Sequence, residues 1–84
     1  MSKHWLRSAG YRRLVRTLVK ARKNAGLTQA DVAKIVSVDQ SQISKYERGK
    51  REIGVMELVR ICNACGIDPG KLLQSARVTS TRKK

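Results

Sequence analysis

Apolar residues recur along this chain at helical spacing in five short runs, each bounded by capping and stopping residues. The first run is Tyr11, Leu14, Val15, Leu18, Val19 and Ala25, with Arg12, Arg16, Lys20 and Lys23 down the opposite side. Gly26 stops it in the position of a left-handed cap, and Leu27 drops back toward the core. Thr28 is the N-cap of a second helix, with Asp31 three residues on to complete a capping-box pair, and Ala30, Val32, Ala33 and Val36 point inward. Ser37-Val38 makes a turn. Asp39 caps a third helix with Gln42 at its third position, Ile43 and Tyr46 face inward, and Gly49 ends it. Lys50, Arg51 and Glu52 form an exposed loop. Ile53 and Leu58 flank a helix start at Gly54 as a hydrophobic staple; Val55, Leu58, Ile61, Cys62 and Cys65 carry the stripe to a stop at Gly66. Asp68-Pro69 opens a last short helix with Leu72 and Leu73 as its apolar side.

The second and third helices are about two turns each and three or four residues apart, the dimensions of a helix-turn-helix. The third is polar and opens on Asp-Gln-Ser-Gln. Its first turn offers side chains able to hydrogen-bond base edges, which suits the major groove of DNA. The pattern predicts an all-α, compact five-helix domain over residues 10–75. A basic arm (1–9) and a flexible basic tail (76–84) flank it.

Charge sharpens this picture through its layout. The 84-residue chain carries a formal charge of +13. Residues 1–24 hold eight basic groups and no acid, residues 25–70 six of each, and residues 71–84 five basic groups and no acid. A neutral centre between basic ends suits a polyanion gripped around a neutral reading head. The chain has no Phe and only one Trp, so its core is aliphatic. No apolar run approaches membrane-spanning length, and Trp5-Leu6 is followed at once by Arg7, so neither a membrane span nor a signal peptide is expected and the cytoplasm is the default compartment.

The stretch from Tyr11 to Leu73 resembles the phage repressor/Cro-type helix-turn-helix family, often called Xre-like, and its lambda-repressor-like fold. The words that carry the resemblance are ARKNAGLTQADVA, QSQISKYERGKR and GIDPGKLL, in the family's order and spacing. The chain departs from the family at Ser37, where a Gly is usual, and at Cys62 and Cys65, where Ala and Leu are usual. Ser in a position that calls for positive φ implies a slightly strained or differently shaped turn.

Geometry places Gln40, Ser41 and Lys45 in the groove, with Gln42 and Ser44 beside them. Gln suits adenine N6 and N7, Lys guanine O6 and N7, and Ser either base or a phosphate. By resemblance, Gln40, Ser41 and Lys45 fall where the family reads bases, and Gln42 is a further candidate. Gln29 begins the second helix, where an N-terminus can hold a phosphate, and the family uses this Gln so. Ser44, Arg48, Lys50 and Arg51 are candidates for phosphates around the end of the reading helix. The resemblance also pairs Arg22 with Glu47 in a partly buried structural salt bridge. It further implies a homodimer on a near-palindromic operator; the exposed parts of the fourth helix and the loop after it, Met56, Val59, Ile67 and Pro69, are the expected contact surface.

Cys62-Asn-Ala-Cys65 lacks the four ligands of a structural zinc site, since His4 is the only further candidate. Both cysteines lie on an apolar stripe and read as small buried hydrophobes, with a redox switch left open. His4 and Trp5 read as tail residues. No catalytic set, metal site or cofactor motif is present, so the chain is not expected to be an enzyme or to carry a cofactor. The expected function is a sequence-specific, double-stranded DNA-binding transcriptional regulator acting as a repressor. The alternatives are an antitoxin that represses its own operon and has a toxin partner, and a non-specific architectural DNA-binding protein driven by the basic arms.

Overall fold

The structure, a computed structural model, describes residues 8–76. Expectations for His4, Trp5, the N-terminal arm up to Arg7 and the tail from Arg77 lie outside the described residues. Five helices follow in order: α1 (Ala9–Asn24), α2 (Gln29–Val36), α3 (Gln40–Glu47), α4 (Val55–Cys65) and α5 (Pro69–Ser75). The helices α2 and α3 pack most closely, α4 lies against α2, and α5 closes the domain against α1 and α4. The core between them is aliphatic, with Leu14, Val15, Leu18, Val32, Ala33, Val36, Ile43, Ile61 and Leu72 joined by Tyr46 and both cysteines.

Local chemistry explains most of the boundaries. Ser8 caps α1 by accepting from the Tyr11 N–H at 3.1 Å, so α1 starts at Ala9. Thr28 and Asp31 exchange both bonds of a capping box, at 3.0 and 2.9 Å. These bonds hold the Asp31 carboxyl below its ordinary value. Asp68 accepts from the Lys71 N–H at 3.1 Å, with Pro69 in the first turn of α5.

The four helices α1 to α4 stop in one way. A residue near the end turns left-handed: Gly26, Ser37, Gly49 and Gly66, with φ of 76, 62, 72 and 73°. The N–H of the next residue then reaches back five positions, as Leu27 to Arg22, Val38 to Ala33, Lys50 to Lys45 and Ile67 to Cys62, at 2.8–3.1 Å. Among the described residues Ser37 is the one non-glycine with positive φ. The turn therefore keeps the shape a Gly would give it, and a Cβ in that conformation costs about 1 kcal/mol.

Several inward expectations are corrected. Ala30 is exposed, because it falls on the far side of Ala33 from Val36. Ala25 lies past the end of α1 and is also exposed. Val55 is 76% exposed, since the first turn of α4 projects past the core. Leu72 is fully buried, whereas Leu73, a hundred degrees around the helix, is 48% exposed. Ala76, expected to begin the flexible tail, instead caps α5 one turn beyond Leu72 and is buried in the core at 3% exposure. The Asp39 side chain occupies the N-cap position of α3 without making a cap hydrogen bond. Gln42, which would complete the box, donates instead to the Tyr46 hydroxyl at 2.6 Å.

Candidate nucleic-acid interface

The sequence of α3 divides its surface in two. At 3.6 residues per turn, Gln40, Ser41, Ser44 and Lys45, followed by Arg48 at the helix end, fall on one side. Ile43 and Tyr46 fall on the other and are buried. Gln40, Ser41, Lys45 and Arg48 are exposed, and Ser44 is half-buried. Gln42 sits at the boundary, half-buried and tied to Tyr46, so its amide props the aromatic ring rather than standing free on the outward face. Arg48 Nε donates to the Ser44 hydroxyl oxygen at 3.1 Å and to its carbonyl at 3.3 Å. That anchors the inner end of the guanidinium and leaves its outer nitrogens without a hydrogen bond among the described residues. Lys50 and Arg51 follow in an exposed loop.

Behind α3 lies the network that sets its position. Arg22 on α1 meets Glu47 at the end of α3 through two parallel bonds, Nε to Oε2 at 2.7 Å and Nη2 to Oε1 at 3.0 Å. The two side chains are only 11% and 12% exposed. Arg22 Nη1 also donates to the Leu27 carbonyl at 2.9 Å, and Gln29 Nε2 donates to Glu47 Oε1 at 2.9 Å. One carboxylate thus joins α1, the first turn of α2 and the end of α3. Both its oxygens are occupied, which a nearly buried charge requires.

The same network changes what Gln29 can offer. Its amide N–H is already directed at Glu47, so what remains for an anion is the backbone N–H at the start of α2 and the second amide hydrogen. Arg13, which sequence reasoning counted only as one more basic group, has a structural task. Its Nε and Nη2 donate to the carbonyls of Ser75 and Ala76 at 3.0 and 3.1 Å, closing the C-terminus of α5. Tyr11 accepts from the Ile53 N–H at 3.3 Å, and burial raises its phenol above the ordinary value. Partners 42 to 63 residues away leave no local signal in the sequence.

Met56 is 60% exposed, while Val59, Ile67 and Pro69 are half-buried, with Ile67 packed against the core. The apolar surface that is open on α4 is therefore its first turn, Val55 with Met56. Cys62 and Cys65 are free, buried thiols, and burial pushes both above their ordinary value. Among the described residues no cluster of His, Cys, Asp and Glu could hold a metal ion, and no helix is long and apolar enough to cross a membrane.

Two short helices in tight contact, the second presenting a polar face beside a basic loop, define a helix-turn-helix DNA-binding unit. Comparison with known proteins agrees. Residues 18–72 match the helix-turn-helix family. An XRE-family like protein from Pseudomonas syringae pv. tomato str. DC3000 has a similar structure, with TM-score 0.77 and 35% identity over 86% of this chain and 88% of that one. The clp gene regulator ClgR from Corynebacterium glutamicum is also similar, with TM-score 0.72 and 28% identity over 79% of this chain and 71% of that one. No curated protein matches the sequence. The chain belongs to the Cro/C1-type, Xre-like helix-turn-helix family and is a DNA-binding transcriptional regulator.

Proposed function

We propose that the protein is a sequence-specific repressor that binds a near-palindromic operator as a homodimer. The observation that carries this reading is the outward face of α3, where Gln40, Ser41 and Lys45 stand exposed opposite a buried Ile43 and Tyr46. Gln40 offers a paired donor and acceptor to adenine N6 and N7, Lys45 donates to guanine O6 or N7, and Ser41 serves either base or a phosphate. Gln42 contributes by holding Tyr46 beneath that face. Ser44, Arg48, Lys50 and Arg51, with the N-terminus of α2 at Gln29, meet backbone phosphates and set register and affinity. The Ser44 hydroxyl accepts from Arg48, which leaves its own hydrogen for a phosphate oxygen.

Dimer contacts come from the projecting first turn of α4, Val55 and Met56, with Val59, Ile67 and Pro69 at the margin. Recognition helices on a two-fold dimer then read half-sites about 34 Å apart on one face of the duplex. Two substitutions test the division of labour. Gln40→Ala should cost about 1–3 kcal/mol at one base position and relax the preference there. Lys50→Ala should weaken all duplexes alike and make the salt dependence shallower by about one unit of slope. Equal weakening of every sequence by Gln40→Ala would remove α3 from the reading role.

A further inference from the structure

We propose that the groove between α1 and the end of α3 is a backbone-phosphate site for bound DNA, formed by Arg12, Arg16 and Arg48. This rests on the DNA-reading role proposed for α3 and extends the binding surface onto α1. The groove has a volume of about 300 Å³. Tyr11, Val15, Glu47 and Gly49 line it together with the three arginines.

Charge decides what it holds. Among the described residues Glu47 is the one acid in the lining, and both its oxygens are bonded, Oε2 to Arg22 and Oε1 to Arg22 and Gln29. It therefore offers no counter-charge to the other three arginines. Arg12 and Arg16 are exposed, and their guanidiniums form no hydrogen bond or ion pair among the described residues. They sit one turn apart on α1, where like charges weaken a helix. Arg48 is fixed only at its inner nitrogen, by Ser44. Three arginines that line one concavity and keep their outer nitrogens free of hydrogen bonds among the described residues suit the tetrahedral oxygens of a phosphate.

The surroundings single out DNA as the source of that phosphate. Arg48 ends the outward stripe of α3 and also lines the groove, and Gly49 beside it leads into Lys50 and Arg51. The positive surface also continues away from α3. A second groove along α1 shares Arg16 and Glu47 with the first and adds Lys20 and Lys23. A free phosphate would use one end of this path, whereas a polyanion follows its length.

The test compares the wild-type protein with Arg12→Gln/Arg16→Gln and Arg12→Lys/Arg16→Lys, after circular dichroism has shown equal melting. Affinity for a preferred duplex and for a scrambled one is measured across salt concentrations. For the Gln pair, both duplexes should weaken by the same factor. Their preference ratio should hold, and the slope of log K against log salt should flatten by about one per lost phosphate contact. The Lys pair should retain most of the slope. Unchanged affinity and slope in the Gln pair would overturn the site, even with the wild type still preferring one duplex. A wild type that binds no duplex would overturn the reading role of α3 and this site together. Inorganic phosphate saturating Arg12 and Arg16 in an NMR titration, with DNA binding unaffected by the Gln pair, would reassign the groove to a free anion and overturn its place on DNA.

Discussion

The stop after α3 and the stops after α1, α2 and α4 use the same backbone device to opposite ends. In all four, a left-handed residue turns the chain and the next N–H reaches back five positions. After α1, α2 and α4 that next residue is Leu27, Val38 or Ile67, and each packs against the core. After α3 it is Lys50, which stays in solvent and is followed by Arg51. The common geometry is a folding element. The side chain placed on it decides whether the turn builds the interior or presents charge beside the reading helix. The end of α3 can dispense with an apolar anchor because the Arg22–Glu47–Gln29 network holds it from behind.

The largest way to break this contrast is to remove that network. Arg22→Met leaves Glu47 nearly buried without its counter-ion. It should cost about 3–5 kcal/mol, lowering Tm by about 12 °C or more for a domain of this size. An unchanged melting curve would mean that α3 is held by packing alone. Next comes an exchange of the two kinds of stop. Leu27→Lys should cost about 2 kcal/mol, because it trades an apolar anchor for a desolvated charge. Lys50→Leu should change stability by less than about 0.5 kcal/mol while weakening DNA binding. Equal destabilisation by both changes, read from paired melts, would erase the distinction.

A smaller change sharpens the comparison. Ser37 holds the left-handed position that Gly holds at the other three stops. Ser37→Gly should therefore stabilise by about 1 kcal/mol, or about 4–8 °C in Tm, with DNA preference unaltered. A loss of stability would show that the Ser side chain makes a compensating contact in the turn.

The smallest effect concerns the interior behind α4. Burial raises both thiols, so Cys62 and Cys65 remain protonated at neutral pH and should alkylate only as fast as the domain opens. A raised folded-state value means that the stability these groups contribute is full below their ordinary value of 9.0 and is lost as pH rises beyond it. Melting temperature should accordingly fall on the alkaline side. Rapid alkylation of the folded protein at neutral pH would contradict this picture of the core.

What the sequence made legible follows the range of the interactions. The capping box of Thr28 and Asp31, the Asp68-Pro69 start and the Gly26, Gly49 and Gly66 stops are spelled out within a few residues, so five helices could be placed from the pattern. The ends of the apolar stripes were less legible. Val55 and Leu73 fit the periodicity but lie where the helix overhangs the core or turns a corner away from it. Side-chain amides and guanidiniums were least legible. Gln29 reaches Glu47 eighteen residues away, and Arg13 reaches Ser75 sixty-two residues away. Neither partner follows from local spacing, and the Arg22–Glu47 pair entered through family resemblance. Gln42 and Asp39 looked like a second capping box, but a nearby tyrosine hydroxyl captured the amide first.

Selection of duplexes from a random library by the purified protein, at near-physiological salt, tests the central claim most directly. The account predicts enrichment of a two-fold symmetric motif whose half-sites are about one helical turn, 34 Å, apart. Binding without any enriched motif would contradict it, leaving a protein that grips DNA through its basic ends and does not read sequence.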